Sequence, residues 1–109
     1  MDVSVIIINF NTKELTKKCI DSIYAHTVDI DFEVILVDNA SSDGSIDLFQ
    51  KDDRIIFIDE NVWIGENVTI LPNVVIGKNI IVGANSVVTH SFPDNCVSAG
   101  NPAKIIKKL

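Results

Sequence analysis

Asparagine recurs at positions 61, 67, 73, 79 and 85, a spacing of six held five times in succession. In register with it, Ile58, Ile64, Ile70, Ile76, Val82 and Val88 form an unbroken aliphatic column, and Val62, Val68, Val74, Ile80 and Ser86 form a second column of branched or small residues. Neither a helix of period 3.6 nor a flat sheet of period 2 produces such a pattern, whereas a triangular solenoid does. Each hexad then gives one short strand with its aliphatic residue pointing into a prism, followed by a corner. The corner needs a residue tolerant of positive φ, and asparagine fits because its short amide bonds locally to the backbone. Gly65, Gly77 and Gly83 each follow an aliphatic position.

Before residue 58 the rule is different. Val3 to Asn9 is a continuous β-branched run of the kind that fills a central parallel strand buried on both faces. Thr12 then offers an N-cap for a helix over 13–26, with Leu15, Cys19, Ile23 and His26 on its inner face and Lys13, Lys17, Lys18 and Asp21 facing away. Phe32 to Val37 makes a second strand, which runs into the turn-forming cluster Asp38-Asn39-Ala40-Ser41-Ser42-Asp43-Gly44-Ser45. A short helix to about Gln50 and a strand from Arg54 complete the order β-α-β-α-β, a half of a doubly wound sheet whose ligands bind at the carboxyl ends of the strands. Asn9 and Asp38 fall at such ends. There Asp38 suits a base or ribose, and Asp38 and Asp43 equally suit a plain structural purpose, fixing the turn and capping the helix.

The fold expected is thus mixed: an α/β fragment (βαβαβ, half-Rossmann) over 1–57 joined to a short parallel β-solenoid of triangular section with a C-terminal tail over 58–109. Ile58 belongs to both patterns, since each asks for a short, branched, buried strand there.

Composition narrows the partners. A net charge of −6 without a basic stripe disfavours nucleic acid, and the lysines form two small groups, Lys13/Lys17/Lys18 and Lys104/Lys107/Lys108, suited to small anions. The apolar run from Val3 to Ile8 is too short to span a bilayer and lacks the basic flank of a signal peptide, which points to the cytoplasm. Cys19 and Cys96 lack metal-ligand spacing and read as ordinary thiols, so no metal is expected. Asp29-Ile30-Asp31 and Asp52-Asp53 read as solvated loop acids.

"VSVIIINFNTKELTKKCIDSI" followed by "FEVILVDNASSDGS", with its V-D-N-x-S-x-D turn, resembles the start of the family 2 nucleotide-sugar glycosyltransferases of the Rossmann-like GT-A type. That resemblance implies a sugar-nucleotide ligand, with Asp38 on the base and Asn9 and Phe10 flanking it. The family's D-x-D motif for metal and diphosphate, expected on a later strand, has no counterpart.

The second half, notably N-V-W-I-G at 61–65 and A-G-N-P-A-K at 99–104, resembles the carboxyl end of hexapeptide-repeat sugar O-acetyltransferases. The resemblance implies a left-handed β-helix, a homotrimer, and acetyl-CoA in a groove between subunits beside Trp63, Ala84 and Thr89, with Lys104 and Lys107 near the CoA phosphates. Trp63 equally suits a subunit interface, and the two lysines a solvated tail. Glu66 stands where the family carries Ala or Ser beside the pantetheine arm. The catalytic histidine of the family belongs on an earlier coil, where this chain carries glycosyltransferase-like sequence. His26 and His90 do not match it, so the catalytic residue is unknown. At 18 residues per coil, 58–93 gives about two coils, fewer than a solenoid core generally needs, so a cap or a partner is expected.

Three functions follow: an acetyl-CoA-dependent sugar O-acetyltransferase-like chain of polysaccharide metabolism with an incomplete active site; a nucleotide-sugar glycosyltransferase-like chain; or a non-catalytic fusion retaining an oligomerisation role.

Overall fold

The computed structural model describes residues 2–109. Ten strands and two helices follow the order β1 (Val3–Asn9), α1 (Lys13–His26), β2 (Phe32–Asp38), α2 (Ser45–Phe49), β3 (Ile55–Ile58), β4 (Trp63–Ile64), β5 (Thr69–Ile70), β6 (Val75–Ile76), β7 (Ile80–Val82), β8 (Val87–Val88), β9 (Cys96–Gly100) and β10 (Ala103–Lys108). The chain is mixed α/β, and its sheets are parallel apart from the β9–β10 pair.

One sheet joins the two sequence patterns. Its order is β1-β2-β3-β6, so the wall that begins with the α/β segment continues directly into the coil. β3 carries the join residue by residue. Phe57 and Ile55 enter a core shared with Ile20 of α1 and Phe49 of α2, while Ile56 and Ile58 enter a second core with Val74, Ile76, Ile80, Val82, Val88 and Cys96. Adjacent side chains on a strand point to opposite faces, so a four-residue strand buried throughout serves both cores at once. β2 alternates in the same way. Val34 and Leu36 face the helices, and Ile35 and Val37 lean over the upper end of the coil.

The solenoid is present with rungs 18 residues apart: Phe57 pairs with Val75, Trp63 with Ile81 and Thr69 with Val87. All five repeat asparagines have positive φ, between 56° and 67°, as the corner argument requires. Asn95 joins them at φ 63° although it breaks the spacing of six, because the last rung is two residues shorter, with Ile80 opposite Cys96. The corner amides stack into a ladder, in which Asn61 Nδ2 donates to Asn79 Oδ1 and Asn79 Nδ2 donates to Asn95 Oδ1 at 2.7 Å. Burial along the column is uneven, since Ile58 is buried on β3 while the two positions after it are not. Ile76, Val82 and Val88 are fully buried, whereas Ile64 is exposed and Ile70 half-buried at the upper end, where the next rung is replaced by β2. At the lower end β10 turns back antiparallel on β9, and Ala103 fills the floor. The C-terminal tail is therefore a strand, on which Lys104 and Lys107 are exposed.

Other local features also differ from expectation. β1 is not a central strand buried on both faces but an edge strand: Val5 and Ile7 pack under the helices, and Ile6 and Ile8 are 65% and 70% exposed on the other face, since no further strand among the described residues pairs beyond it. α1 has the expected span but a rotated face. Thr16 and Ile20 are buried, with Ile23 and Tyr24 beside them, while Leu15 and Cys19 are exposed. The rotation follows from Asn9, whose Oδ1 accepts the Thr16 hydroxyl at 2.7 Å and the Thr12 hydroxyl at 2.9 Å; Thr12 thus bonds backwards and makes no side-chain cap.

Asp52, expected as a solvated acid, instead chelates Arg54: its Oδ1 accepts from Nε at 3.0 Å and its Oδ2 from Nη2 at 2.8 Å. Arg54 also reaches Asp21 of α1 at 2.9 Å and lies 5.0 Å over the Tyr24 ring, whose hydroxyl donates to the Arg54 carbonyl. This cluster fastens the entry of β3 to α1. The Arg54 guanidinium holds the Asp52 carboxyl below its ordinary value. A group depressed in the folded state stabilises above its unfolded pKa and loses that contribution as pH falls through the folded one. Arg54→Met is therefore expected to cost about 1 kcal/mol at neutral pH and progressively less below about pH 4, as read from urea unfolding midpoints across that range.

Candidate functional site

Two groups of site residues are expected from the sequence, and they lie on different elements. At the ends of β1 and β2, Asn9 pairs in register with Asp38, and both side chains are fully buried. Asn9 Nδ2 donates to Asp38 Oδ1 at 2.7 Å, and Asp38 Oδ2 accepts the Ser41 N–H at 2.9 Å. Asn11 extends the latch, donating its N–H to Ser41 Oγ at 2.9 Å and accepting the Ser42 N–H on Oδ1 at 2.7 Å. Asp43 closes it, since its Oδ2 accepts the Lys13 N–H at the start of α1 and its Oδ1 the Ser45 N–H at the start of α2, each at 3.0 Å. Those bonds, with that from the Ser45 hydroxyl foremost, pull the Asp43 carboxyl below its ordinary value. The turn that carries the glycosyltransferase motif is thus locked by its own side chains. Phe10, expected beside it, is 58% exposed.

Against the latch, at the ends of β2 and β3, a cavity of about 310 Å³ is walled by Val37, Asp38, Ile58, Val62 and Ile64 and rimmed by Asn39, Asp59, Glu60 and Asn61. Asp59 is buried, and desolvation raises its carboxyl above the ordinary value, against the Glu60 N–H that donates to Oδ1 at 2.7 Å. The sign is opposite to that at Asp52: a folded pKa raised above the unfolded one means that stability falls as pH rises through the interval between them. Asp59→Asn keeps an acceptor for Glu60 and removes the charge. The variant is expected to match the wild type at about pH 3 and to exceed it in Tm at neutral pH, a comparison that calorimetry makes directly.

The second group lies on the outer face of the sheet β10-β9-β7-β4. Trp63, 72% exposed, pairs with Ile81, Ile81 with Val97, and Val97 with Lys107, so four rungs present one outward row from aromatic to cationic. The row beside it is flush: Gly65, Gly83 and Ala99, ending at Lys104, which pairs with Ala99. A Cβ on Gly65 would lie 2.7 Å from the Ala84 nitrogen, so the two coils approach there as closely as glycine alone allows. Ala84 follows at the next corner, with Glu66 one rung above it; the Asn85 N–H donates to the Glu66 carbonyl at 2.8 Å. Thr89 is on a different edge of the prism, after β8, where its hydroxyl meets His90 Nδ1 at 2.8 Å. The structure therefore brings Trp63, Lys107, Lys104 and Ala84 to one face and leaves Thr89 apart.

Ile81 and Leu109, which with Asn61, Val62, Trp63 and Asn79 line a cavity of about 220 Å³, were not singled out from the sequence. The spacing of 18 from Trp63 gives Ile81; nothing in the repeat gives Leu109, whose N–H reaches the Asn95 carbonyl at 2.8 Å through the β10 turn-back. Among the described residues no group of three or more His, Cys, Asp or Glu side chains is arranged to hold a metal ion, and no helix is long and apolar enough to cross a membrane.

Comparison with known proteins agrees with a two-part chain. The family Glycosyl transferase family 2 matches residues 4–69, and the family Bacterial transferase hexapeptide (six repeats) matches residues 56–90, so the two overlap over 56–69, from within β3 through β4 to the start of β5. No curated protein matches. Among solved structures, a serine acetyltransferase from Brucella abortus strain S19 is similar at 35% identity and a TM-score of 0.50, covering 69% of this chain and 28% of its own. A maltose O-acetyltransferase from Clostridium difficile 630 is similar at 22% identity and a TM-score of 0.46, covering 97% of this chain and 57% of its own. The chain thus spans under two thirds of the length of either. Over residues 4–69 the chain belongs to glycosyl transferase family 2, and from the shared strand onward residues 56–90 are similar to the bacterial transferase hexapeptide family.

Proposed function

We propose that the chain is an acetyl-CoA-binding, O-acetyltransferase-like protein of sugar metabolism with an incomplete catalytic centre, whose coil is a left-handed β-helix that assembles as a homotrimer. The observation that carries this reading is the outer face of the β4-β7-β9-β10 sheet. An exposed indole offers a stacking surface for a purine, two lysines offer charge for phosphates, and the flush Gly65–Gly83–Ala99 row between them admits an extended arm. When bound, acetyl-CoA supplies an acetyl thioester. The side chains do the holding: Trp63 stacks, Lys104 and Lys107 neutralise, and Ala84 leaves room. Thr89, on another edge, contributes from a neighbouring copy.

Glu66 opposes the anionic ligand. Its replacement by alanine is expected to tighten CoA binding about two- to five-fold, about 0.5–1 kcal/mol, with the gain shrinking as salt is added. Trp63 is the sole tryptophan, so its emission reports occupancy without a label. Titration with CoA should shift that emission and raise Tm, Trp63→Ala should abolish binding measured by calorimetry, and Lys104→Ala or Lys107→Ala should each weaken it about two- to five-fold. Absence of heat, emission change and thermal shift at millimolar CoA would sink the proposal.

A second reading, binding of a sugar nucleotide at Asn9 and Asp38, is favoured by the family match over 4–69. It requires the latch to open, because both side chains are buried and bonded. Stabilisation by a UDP- or TDP-sugar supports it, and a flat thermal shift with both excludes it. If CoA and sugar nucleotides all leave the protein unchanged, a non-catalytic fusion with an oligomerisation role stands. The boundary between the half-Rossmann segment and the coil lies, on each of these readings, at 57/58.

A further inference from the structure

We infer that β1 is the interface of a two-fold dimer, in which β1 of a second copy of this chain adds antiparallel to its free edge. β1 pairs along its whole length with β2 and with no other strand among the described residues, leaving a seven-residue edge of backbone donors and acceptors. Its composition is that of a strand flanked on both sides, yet Ile6 and Ile8 stand exposed on its uncovered face and Val3 is 46% exposed at its start. Through the register Ile6–Ile35 and Ile8–Val37 this surface runs without interruption into the upper end of the coil core.

The occupant follows from charge, symmetry and size. A chain of net charge −6 resists a second copy of itself wherever acids face each other, but Val3 to Asn9 carries no charge, no proline and no bulge, the usual means of blocking an edge. Antiparallel self-pairing centred on Ile6 places Ile6 opposite Ile6 and Ser4 opposite Ile8 on one face, and Val5 opposite Ile7 on the helix-covered face, so each face continues the same face of the partner, with aliphatic pairs at its centre. The opposite end of this sheet is β6, which continues into the coil through the Ile76–Phe92 bridge, so pairing at β1 closes at two copies instead of growing into a fibre. One added ladder and a few side chains per copy lie at the low end of stable interfaces, below about 1,200 Å² in total, which makes the dimer concentration-dependent.

Sedimentation equilibrium over the micromolar to millimolar range tests this with the full chain. The wild type should pass to a heavier assembly than that formed by Ile6→Lys at the same high concentration, at twice the mass where the smaller unit is a monomer and at twice the mass or more where it is a trimer with three β1 edges, with unchanged circular dichroism. Because the fold of the variant is a separate question, hydrogen exchange on the wild type gives an independent reading: alternate amides of β1 should be protected at high concentration and exchange at least about ten-fold faster on dilution. Equal masses for wild type and variant throughout, or exchange rates in β1 that ignore concentration, overturn the proposal.

Discussion

Asp38→Ala is expected to lower stability by about 3 kcal/mol, a fall of roughly 15 °C in Tm for a chain of this size. The carboxylate is fully buried and accepts from Asn9 Nδ2 at 2.7 Å and from the Ser41 N–H at 2.9 Å. Alanine removes both acceptors while the donors stay in place, and an unpaired buried donor costs more than the net gain of the bond it lost. Asp38→Asn is expected to recover little. Its amide keeps one carbonyl oxygen and sets an N–H group against a donor at the other position. Both values come from denaturant titration of the free protein. A drop of under about 1 kcal/mol for Asp38→Ala would mean that the latch is not formed, and would return Asp38 to the role of an open ligand contact.

Phe57→Ala is expected to cost about 4 kcal/mol, a larger loss than that at Asp38. The ring is 1% exposed at the centre of the core between β3, α1 and α2, and its neighbour Ile58 is held in the coil core. The cavity left behind is on the glycosyltransferase side of the strand, yet the loss should be felt equally on the hexapeptide side, because β3 also pairs with β6. Thermal unfolding of the variant followed by Trp63 emission should show the full decrease in midpoint. An unchanged Trp63 transition would mean that the coil stands without its first wall.

The parts of this structure that were legible in the sequence are those fixed by strict periodicity or by local chemistry. The asparagine column placed five positive-φ corners, and the aliphatic column placed the prism interior. The α1 span from Lys13 to His26 followed from helical spacing, but its inward face did not, because one hydrogen-bonded pair, Asn9 with Thr16, turned the helix away from Leu15. β1 misled for a related reason. Its residues describe a central strand, whereas its position depends on which strands the rest of the chain supplies. Of the candidate site, the row from Trp63 to Lys107 was half visible: the spacing of 18 leads from Trp63 to Ile81, but the shortened last rung and the turn-back of β10 that add Val97 and Lys107 follow no repeat. The burial of Asp38 was not readable either, since the same motif serves a ligand when open and a turn when closed.

Two segments that match different transferase families, joined at β3, form one folded unit, a single sheet with a core on each face. The sole tyrosine and the sole tryptophan lie on opposite sides of the join, Tyr24 on α1 and Trp63 on β4, so the unity of the fold can be tested without modifying the chain. Equilibrium unfolding in urea, followed by Trp63 emission and by the NMR signals of the Tyr24 ring, should give coincident midpoints and equal slopes for the two probes. Two separated transitions, with Trp63 reporting one midpoint and Tyr24 another, would contradict it.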